Sequence, residues 1–380
     1  MLISELITQP WLQVASLIAL IGFVLIIINY ILNYWALAFF KSSHLATNSN
    51  LEPVSVIICA KNEDENLTEF LPKVLQQDYP NYEVIVVNDC SYDNTENVID
   101  EFTQIFPNLK KVTIKEDAYY KHGKKFAVLV GIKAAQYENL VFMDADCYPS
   151  SDQWLKEMAR GFTKEREVVL GYGAYEKQDS FLNKLIRFDT FMIAVQYLSS
   201  AIKGKAYMGV GRNLGYKKDL FYRNKGFSSH YHINSGDDDL FVNQVANETN
   251  VNACIQQTAF TYSKAKTDFK GWKLQKARHL TTSPFYSTST KSKIGFNYFS
   301  QYLFWLSLVP LFFSLNTAIL AAGLILLKVM FQWLVVRKAA IKLNEPDLWA
   351  MSFIYELFLL FIYPIFHLAK AFYKPNTWTN

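Results

Sequence analysis

Apolar positions crowd the two ends of this 380-residue chain and thin out between them. From Leu6 to Phe40 no residue is charged, and the core of that run, Val14 to Phe39, exceeds the ~20 residues a helix needs to cross a bilayer. A removable signal peptide would need a basic start, a shorter apolar core and a small-residue cleavage site, whereas Glu5 is the only charge ahead of the run. The pattern therefore predicts a retained anchor. Lys41 follows it and no Lys or Arg precedes it, so the positive-inside rule places the N-terminus outside and the following domain in the cytoplasm.

The second apolar zone, Ile294 to Val336, is broken by Lys328 and carries Asn316-Thr317 near its middle, which predicts two helices joined by a tight turn. Arg337, Lys338 and Lys342 then return to the cytoplasm, and a last span, Leu348 to Ala369, contains Glu356. Lys328 lies as far before Arg337 as Glu356 lies after Asp347, so at about 1.5 Å per residue both sit about 13 Å deep. Charges at such depth are expensive and find partners, so the two are expected to pair. In a shorter version one long helix ends at Lys328, which snorkels, and an interfacial segment follows, giving three spans instead of four. These patterns divide the chain into an N-terminal anchor and linker (1–51), a middle domain (52–293) and a C-terminal transmembrane region (294–380) made of a hairpin plus one span.

In the middle domain the periodicity changes. Val54 to Ala60 is a short, β-branched apolar run followed by a helical pattern from Asn66 to Gln76, as for a buried parallel strand and its crossover helix. The unit recurs: strand Glu83–Val87 and helix Thr95–Ile105, strand Lys111–Ile114 and helix Lys124–Ala135, then strand Leu140–Met143 ending on Asp144. Such alternation predicts an α/β fold on a mostly parallel sheet. Phe181 to Ala201, apolar and aromatic at helical spacing, reads as core or as a helix resting on the membrane surface.

Ligands of such sheets bind beyond the carboxyl ends of the strands, where this chain places Lys61, Asn62 and Glu63, then Asn88 and Asp89, then Asp144 and Asp146. Neither a dinucleotide fingerprint nor a P-loop follows any strand, so a bound phosphate would need a metal. Asp144-Ala145-Asp146 offers two hard oxygen donors at a strand exit, suited to Mg²⁺ or Mn²⁺, although an Asx-type turn would use the same residues. Asp237-Asp238-Asp239 open an amphipathic segment running to Ala246; acids are favoured at a helix start, yet three in succession repel one another and raise at least one pKa, as a poised base requires. Gln275 and Arg278 share a helix face after Trp272, where a guanidinium can neutralise a leaving diphosphate. The glycines of Gly209-x-Gly211-Arg212-Asn213-x-Gly215-Tyr216 either make turns or shape the side from which an acceptor enters.

The formal net charge of +4 and the lack of a Lys/Arg cluster with interleaved aromatics exclude a nucleic-acid surface. Cys59, Cys90, Cys147 and Cys254 show no C-x-x-C spacing and predict reduced thiols.

Taken in order, Ser55-Val56-Ile57-Ile58-Cys59-Ala60-Lys61-Asn62-Glu63, Val87-Asn88-Asp89, Asp144-Ala145-Asp146, Gly236-Asp237-Asp238-Asp239-Leu240 and Gln275-x-x-Arg278-His279 resemble the ordered motifs of the family-two inverting glycosyltransferases. The resemblance spans about Val54 to Tyr286. It implies a GT-A fold, a nucleotide-diphosphate sugar as donor (a UDP-sugar favoured), a divalent cation, Mg²⁺ or Mn²⁺, and a lipid-linked or glycan acceptor at the cytoplasmic face of the inner membrane. Lys61, Glu63, Asp89, Lys124 and Asp144 would then serve the donor, with Lys125 an alternative to Lys124. Asp144 and Asp146 would hold the metal, and Gln275, Arg278 and His279 the acceptor or the diphosphate. Two positions depart from the pattern. The usual Glu-Asp is Gly236-Asp237 here, which makes Asp237 the catalytic base and Asp238 the fallback; the usual Q-x-x-R-W ends in His279, which unsettles any inference of processivity. The rivals are an inactive membrane scaffold or glycan-binding pseudoenzyme of the same fold, and a nucleotidyltransferase that releases pyrophosphate.

Overall fold

The structure is a computed structural model that describes residues 9–41, 51–115 and 123–373. The start of the N-terminal apolar run, from Leu6, and most of the linker before Leu51 lie outside the described residues. The chain divides into two compact units, one formed by Met1–Phe40 with Tyr286–Ile365, the other by Lys41–Phe285 with Phe366–Asn380.

The second unit is built on strands β1 (Val54–Ala60), β2 (Tyr82–Asp89), β3 (Leu109–Ile114), β4 (Asn139–Asp144), β5 (Cys147–Pro149), β6 (Val168–Leu170), β7 (Gly173–Tyr175), β8 (Leu214–Lys217), β9 (Val251–Ala253) and β10 (Thr261–Ser263). Seven of them form one sheet in the order β3-β2-β1-β4-β8-β6-β9. The first four run parallel. Every residue of β1 is buried, and so is every residue of β2 after Tyr82, because crossover helices cover both faces. Those helices span Asp64–Leu75, Thr95–Ile105 and Lys124–Ala134, each within two residues of the sequence prediction.

Beyond β4 the sheet changes direction: β8 pairs antiparallel with both β4 and β6. The pattern reading missed this, since a four-residue strand holding Gly215 shows no alternation to detect. A second sheet, β5-β10-β7, stands where Asp146 hands the chain on to β5. The aromatic segment after it forms the helix Phe181–Ile202, whose buried positions include Phe188, Phe191 and Leu198 along with Arg187 and Asp189. Burial on several faces marks it as core rather than as a one-sided surface helix.

Among the described residues three helices are long and apolar enough to cross a membrane: Pro10–Asn33 and Leu315–Lys342 in the first unit, and Ser352–Phe372, whose residues from Phe366 on belong to the second. The expected hairpin turns at Val309–Phe313, a short 3₁₀ segment containing Pro310, slightly ahead of Asn316-Thr317. Its first limb, Thr288–Leu308, carries Lys291 and Lys293 and is not among the candidate spans. Lys328 and Glu356 form the expected ion pair. Lys328 also donates to Gln332 Oε1 (2.7 Å), and the Tyr30 hydroxyl donates to the other Glu356 oxygen (2.6 Å), so the buried charges are compensated by hydrogen bonds as well as by each other.

Candidate active site

The parallel register gathers the strand ends. Cys59 lies opposite Asp144 and Ala60 opposite Asn88, so the segments leaving β1, β2 and β4 emerge along one edge. The first two are stitched together through backbone that only a few residue types accept. Asn62 adopts φ 56°, a left-handed conformation Asn tolerates, and its Oδ1 accepts the Tyr92 N–H at 2.8 Å. Its own N–H donates to Ser91 Oγ (3.0 Å), and the next N–H, of Glu63, donates to Thr95 Oγ1 (2.8 Å). Asp89 ends β2 fully buried, and Lys61 stands half-exposed just after β1.

The helix Lys124–Ala134 begins at this edge and sends its first two lysines in different directions. Lys124 Nζ reaches Asp144 Oδ1 at 2.6 Å and Asp237 Oδ2 at 3.3 Å, joining the end of β4 to the second acidic cluster. Lys125 turns the other way, is buried, and donates to the carbonyl oxygens of His230 (2.6 Å) and Ile233 (3.0 Å). It thereby fixes the loop that leads into Asp237, and burial brings its ammonium down to about 8. Burial pushes the Asp144 carboxyl upward, but the charge and hydrogen bond of the Lys124 ammonium, together with the Arg212 and Arg278 charges, more than offset this and leave it below its ordinary range.

The three consecutive aspartates have three different surroundings. Asp239 is buried, with one oxygen accepting the Leu240 N–H (2.7 Å) and the other the Thr282 hydroxyl (2.5 Å), so it shapes the helix start. Asp238 accepts the Gly211 N–H at 2.7 Å on one oxygen and the Asp239 N–H at 2.7 Å on the other. Burial and then repulsion from Asp237 and Asp239 push it up to about 7. Asp237 faces Lys124. Gly236 precedes it at φ +92°, and a Cβ there would lie 2.5 Å from Leu240 Cδ1, so a side chain at the position that holds Glu in the resembling family would be strained in this backbone.

On the other side of Asp144 lies Asp146, which accepts from the Cys147 thiol at 3.3 Å. Ligand atoms of Asp144, Asp146 and Cys147 all fall within 4.8 Å of one another. Burial and the Asp144 charge raise the Asp146 carboxyl above its ordinary value, the state of an acid lacking enough nearby cation. Asp146 with that deficit, beside the Asp144 carboxylate, fits a hard divalent ion; the buried Cys147 thiol, whose pKa burial raises well above the usual, donates a hydrogen bond to Asp146. Glu63, also buried and close to both acids, is pushed up to about 7 chiefly by burial.

The helix Phe269–His279 approaches from a third direction. Trp272 anchors it, fully buried with its ring edge-to-face on Phe366 at 4.9 Å, and Lys276 pairs with the buried Asp189. Gln275 Nε2 donates to the Tyr175 hydroxyl (3.1 Å), and the Arg278 charge reaches Asp144. His279 is exposed at the end of the helix. Sequence reasoning passed over Tyr175 and Cys147, which sit outside any motif, and the Gly211 N–H, which no side-chain pattern reports. Arg212 was visible only as one letter of a glycine-rich stretch.

Residues 55–224 match the family model described as Glycosyl transferase family 2, and the chain carries a domain of that family. Among curated proteins, poly-beta-1,6-N-acetyl-D-glucosamine synthase of Staphylococcus epidermidis is 35% identical over 147 residues, 38% of this chain and 33% of that protein. Glycosyltransferase AglE of Haloferax volcanii is 34% identical over 147 residues, 36% of this chain and 47% of that protein. The match therefore spans less than half the length of these relatives. Among solved structures, mannosyltransferase PcManGT from Pyrobaculum calidifontis, in complex with GDP-Man and Mn²⁺, aligns with a TM-score of 0.57 at 17% identity, covering 90% of this chain and 99% of that one. The fold is the mostly parallel α/β GT-A fold.

Proposed function

Starting from a family 2 glycosyl transferase domain on a chain with three membrane-length apolar helices, we propose that this protein transfers a sugar, with inversion, from a nucleotide-diphosphate donor to a lipid-linked or glycan acceptor at the cytoplasmic membrane face. The observation that carries this reading is the bridge made by Lys124 between Asp144, on the donor side, and Asp237, on the acceptor side. The bridge ties the end of β4 to the residue ahead of the helix Asp239–Val245, so the two acidic clusters converge on one cation.

Asp237 acts as the base. It takes the proton of the acceptor hydroxyl as that oxygen bonds to the anomeric carbon, while the bond to the diphosphate oxygen breaks and its electron pair leaves with the nucleotide. A single displacement inverts the centre. Asp238 is pinned by two backbone N–H groups and holds Gly211 in place, which leaves Asp237, paired with Lys124 at 3.3 Å, as the acid to meet an acceptor. Asp144 and Asp146 would hold the divalent cation, which supplies charge neutralisation for the departing diphosphate. Arg278 adds a fixed positive charge on that side, and the buried Asp89 with Lys61 and Glu63 forms the nucleoside end. The mannosyltransferase with the similar fold is described with GDP-Man and Mn²⁺, which supports the donor class and the ion class without choosing the base or the sugar.

The test uses the full chain in detergent. Nucleotide sugars are screened with Mn²⁺ or Mg²⁺ for a rise in melting temperature, since a ligand that binds only the native state stabilises it by mass action. The Asp237→Asn variant is then assayed with the stabilising donor. Retained stabilisation with turnover lost supports the reading; release of pyrophosphate from a nucleoside triphosphate, or a silent screen, would sink it.

A further inference from the structure

Arg212 stands one residue beyond Gly211, whose N–H holds Asp238, and its guanidinium lies over the Tyr175 ring, 4.5 Å from the centroid. Gly173, at the start of β7, makes room for this: a Cβ there would come within 3.0 Å of Arg212 Cβ and 3.3 Å of Nε. Of the five guanidinium N–H donors, the hydrogen bond formed is from Nη1 to Ser263 Oγ at 3.2 Å. Tyr175 is held in turn by Gln275 at its hydroxyl. Among the described residues no carboxylate lies within ion-pair distance of Arg212, yet its charge acts on both Asp144 and Asp146. An aromatic face, a strand without a side chain in the way and one hydroxyl thus orient a half-buried cation beside the proposed metal pair, with most of its donors unspent.

We propose that Arg212 is a phosphate-binding residue of this site and that Tyr175 positions it. This rests on the transfer reading above. A planar guanidinium held flat against a ring presents a fixed fork that matches two phosphate oxygens, which a lysine ammonium cannot reproduce. Two phosphates can reach it, the diphosphate of the donor and the phosphate of a lipid-linked acceptor, and the experiment separates them. Gln275 then acts through Tyr175, to whose hydroxyl it donates, while Arg278, on the same helix, acts on Asp144.

The test takes the full chain in nanodiscs with Mn²⁺. Titration calorimetry measures UDP and GDP against UMP and GMP, and thermal shift measures nanodiscs doped with polyprenyl phosphate against neutral ones, for wild type, Arg212→Gln, Arg212→Lys, Tyr175→Phe and Tyr175→Leu. If the donor supplies the phosphate, Arg212→Gln loses at least tenfold in diphosphate affinity and much of the preference over monophosphate. Arg212→Lys recovers little of this, and Tyr175→Phe, which keeps the ring, stays near wild type while Tyr175→Leu follows the arginine variants. If the acceptor supplies it, diphosphate binding is unchanged and the stabilisation by polyprenyl phosphate disappears. Wild-type-like behaviour of Arg212→Gln on both probes, with or without a lower melting temperature, overturns the assignment and leaves Arg212 a packing residue. A wild-type chain that binds neither probe overturns the transfer reading and this one together.

Discussion

Lys124 Nζ, in the first turn of its helix, sits 2.6 Å from Asp144 Oδ1, so the cation that steadies the end of β4 is supplied by a helix that packs chiefly on β1 and β2. The same ammonium reaches Asp237 at 3.3 Å. Replacing it with Met removes the shared ammonium and leaves Asp144 with the Arg212 and Arg278 charges alone. Turnover is expected to fall by ~10²-fold, the scale of losing one preorganised electrostatic contact. Divalent-ion affinity, read by Mn²⁺ titration, should rise, because the Asp144-Asp146 pair regains negative charge. Unchanged metal affinity would show that Lys124 does not compete with the ion.

Asp238 gives the protein a pH dependence with a definite sign. Its carboxyl is raised to about 7, above its unfolded value, so between about pH 4 and 7 the folded state holds a proton that the unfolded state has lost. Stability therefore falls as pH rises through that window and levels off above it. The Asp238→Asn variant cannot ionise there, and its melting temperature relative to wild type should climb from pH 5 to pH 8. A gap that stays constant would mean that Asp238 titrates normally.

How much of this was legible in the chain depends on how local the cause is. Strands β1, β2 and β4 and their helices announce themselves, because a strand covered on both faces must be largely apolar and its crossover helix must be amphipathic; β3, at the sheet edge, shows only a partly buried pattern. The acids at the strand ends follow from the same geometry. Other features depend on what lies opposite. Lys124 and Lys125 are neighbours in sequence with identical chemistry, and only the helix phase sends one to the acids and the other to the carbonyls of His230 and Ile233. The antiparallel β8 and the seat of Arg212 on Tyr175 are long-range pairings with no period of their own.

Gly236 can be tested as a backbone requirement. At φ +92° any side chain is strained, and a Cβ meets Leu240, so Gly236→Ala should cost about 1–3 kcal/mol and displace Asp237 from Lys124. Restoring the glutamate of the resembling family, Gly236→Glu, should be at least as damaging. A Gly236→Glu variant with wild-type melting temperature and turnover would show that the loop accommodates a side chain without loss.

The buried pair in the apolar unit offers a test that is independent of catalysis. Lys328 and Glu356 come from different helices, and each has a second partner, Gln332 for the lysine and Tyr30 for the acid. Removing one charge leaves the other buried and uncompensated, at a cost of about 3–5 kcal/mol for a pair of this kind, whereas removing both leaves only neutral groups that still share hydrogen bonds. Lys328→Met and Glu356→Gln should therefore each lower the melting temperature in detergent by more than the double variant does. The order matters because additive losses would mean that the two side chains contribute separately. A double variant near wild type would identify the pair as a device that fixes which helices meet, with little net contribution to their stability. Tyr30→Phe should weaken the acid-side contact modestly in wild type and have less effect once Glu356 is Gln, because the phenol's charged acceptor is then gone.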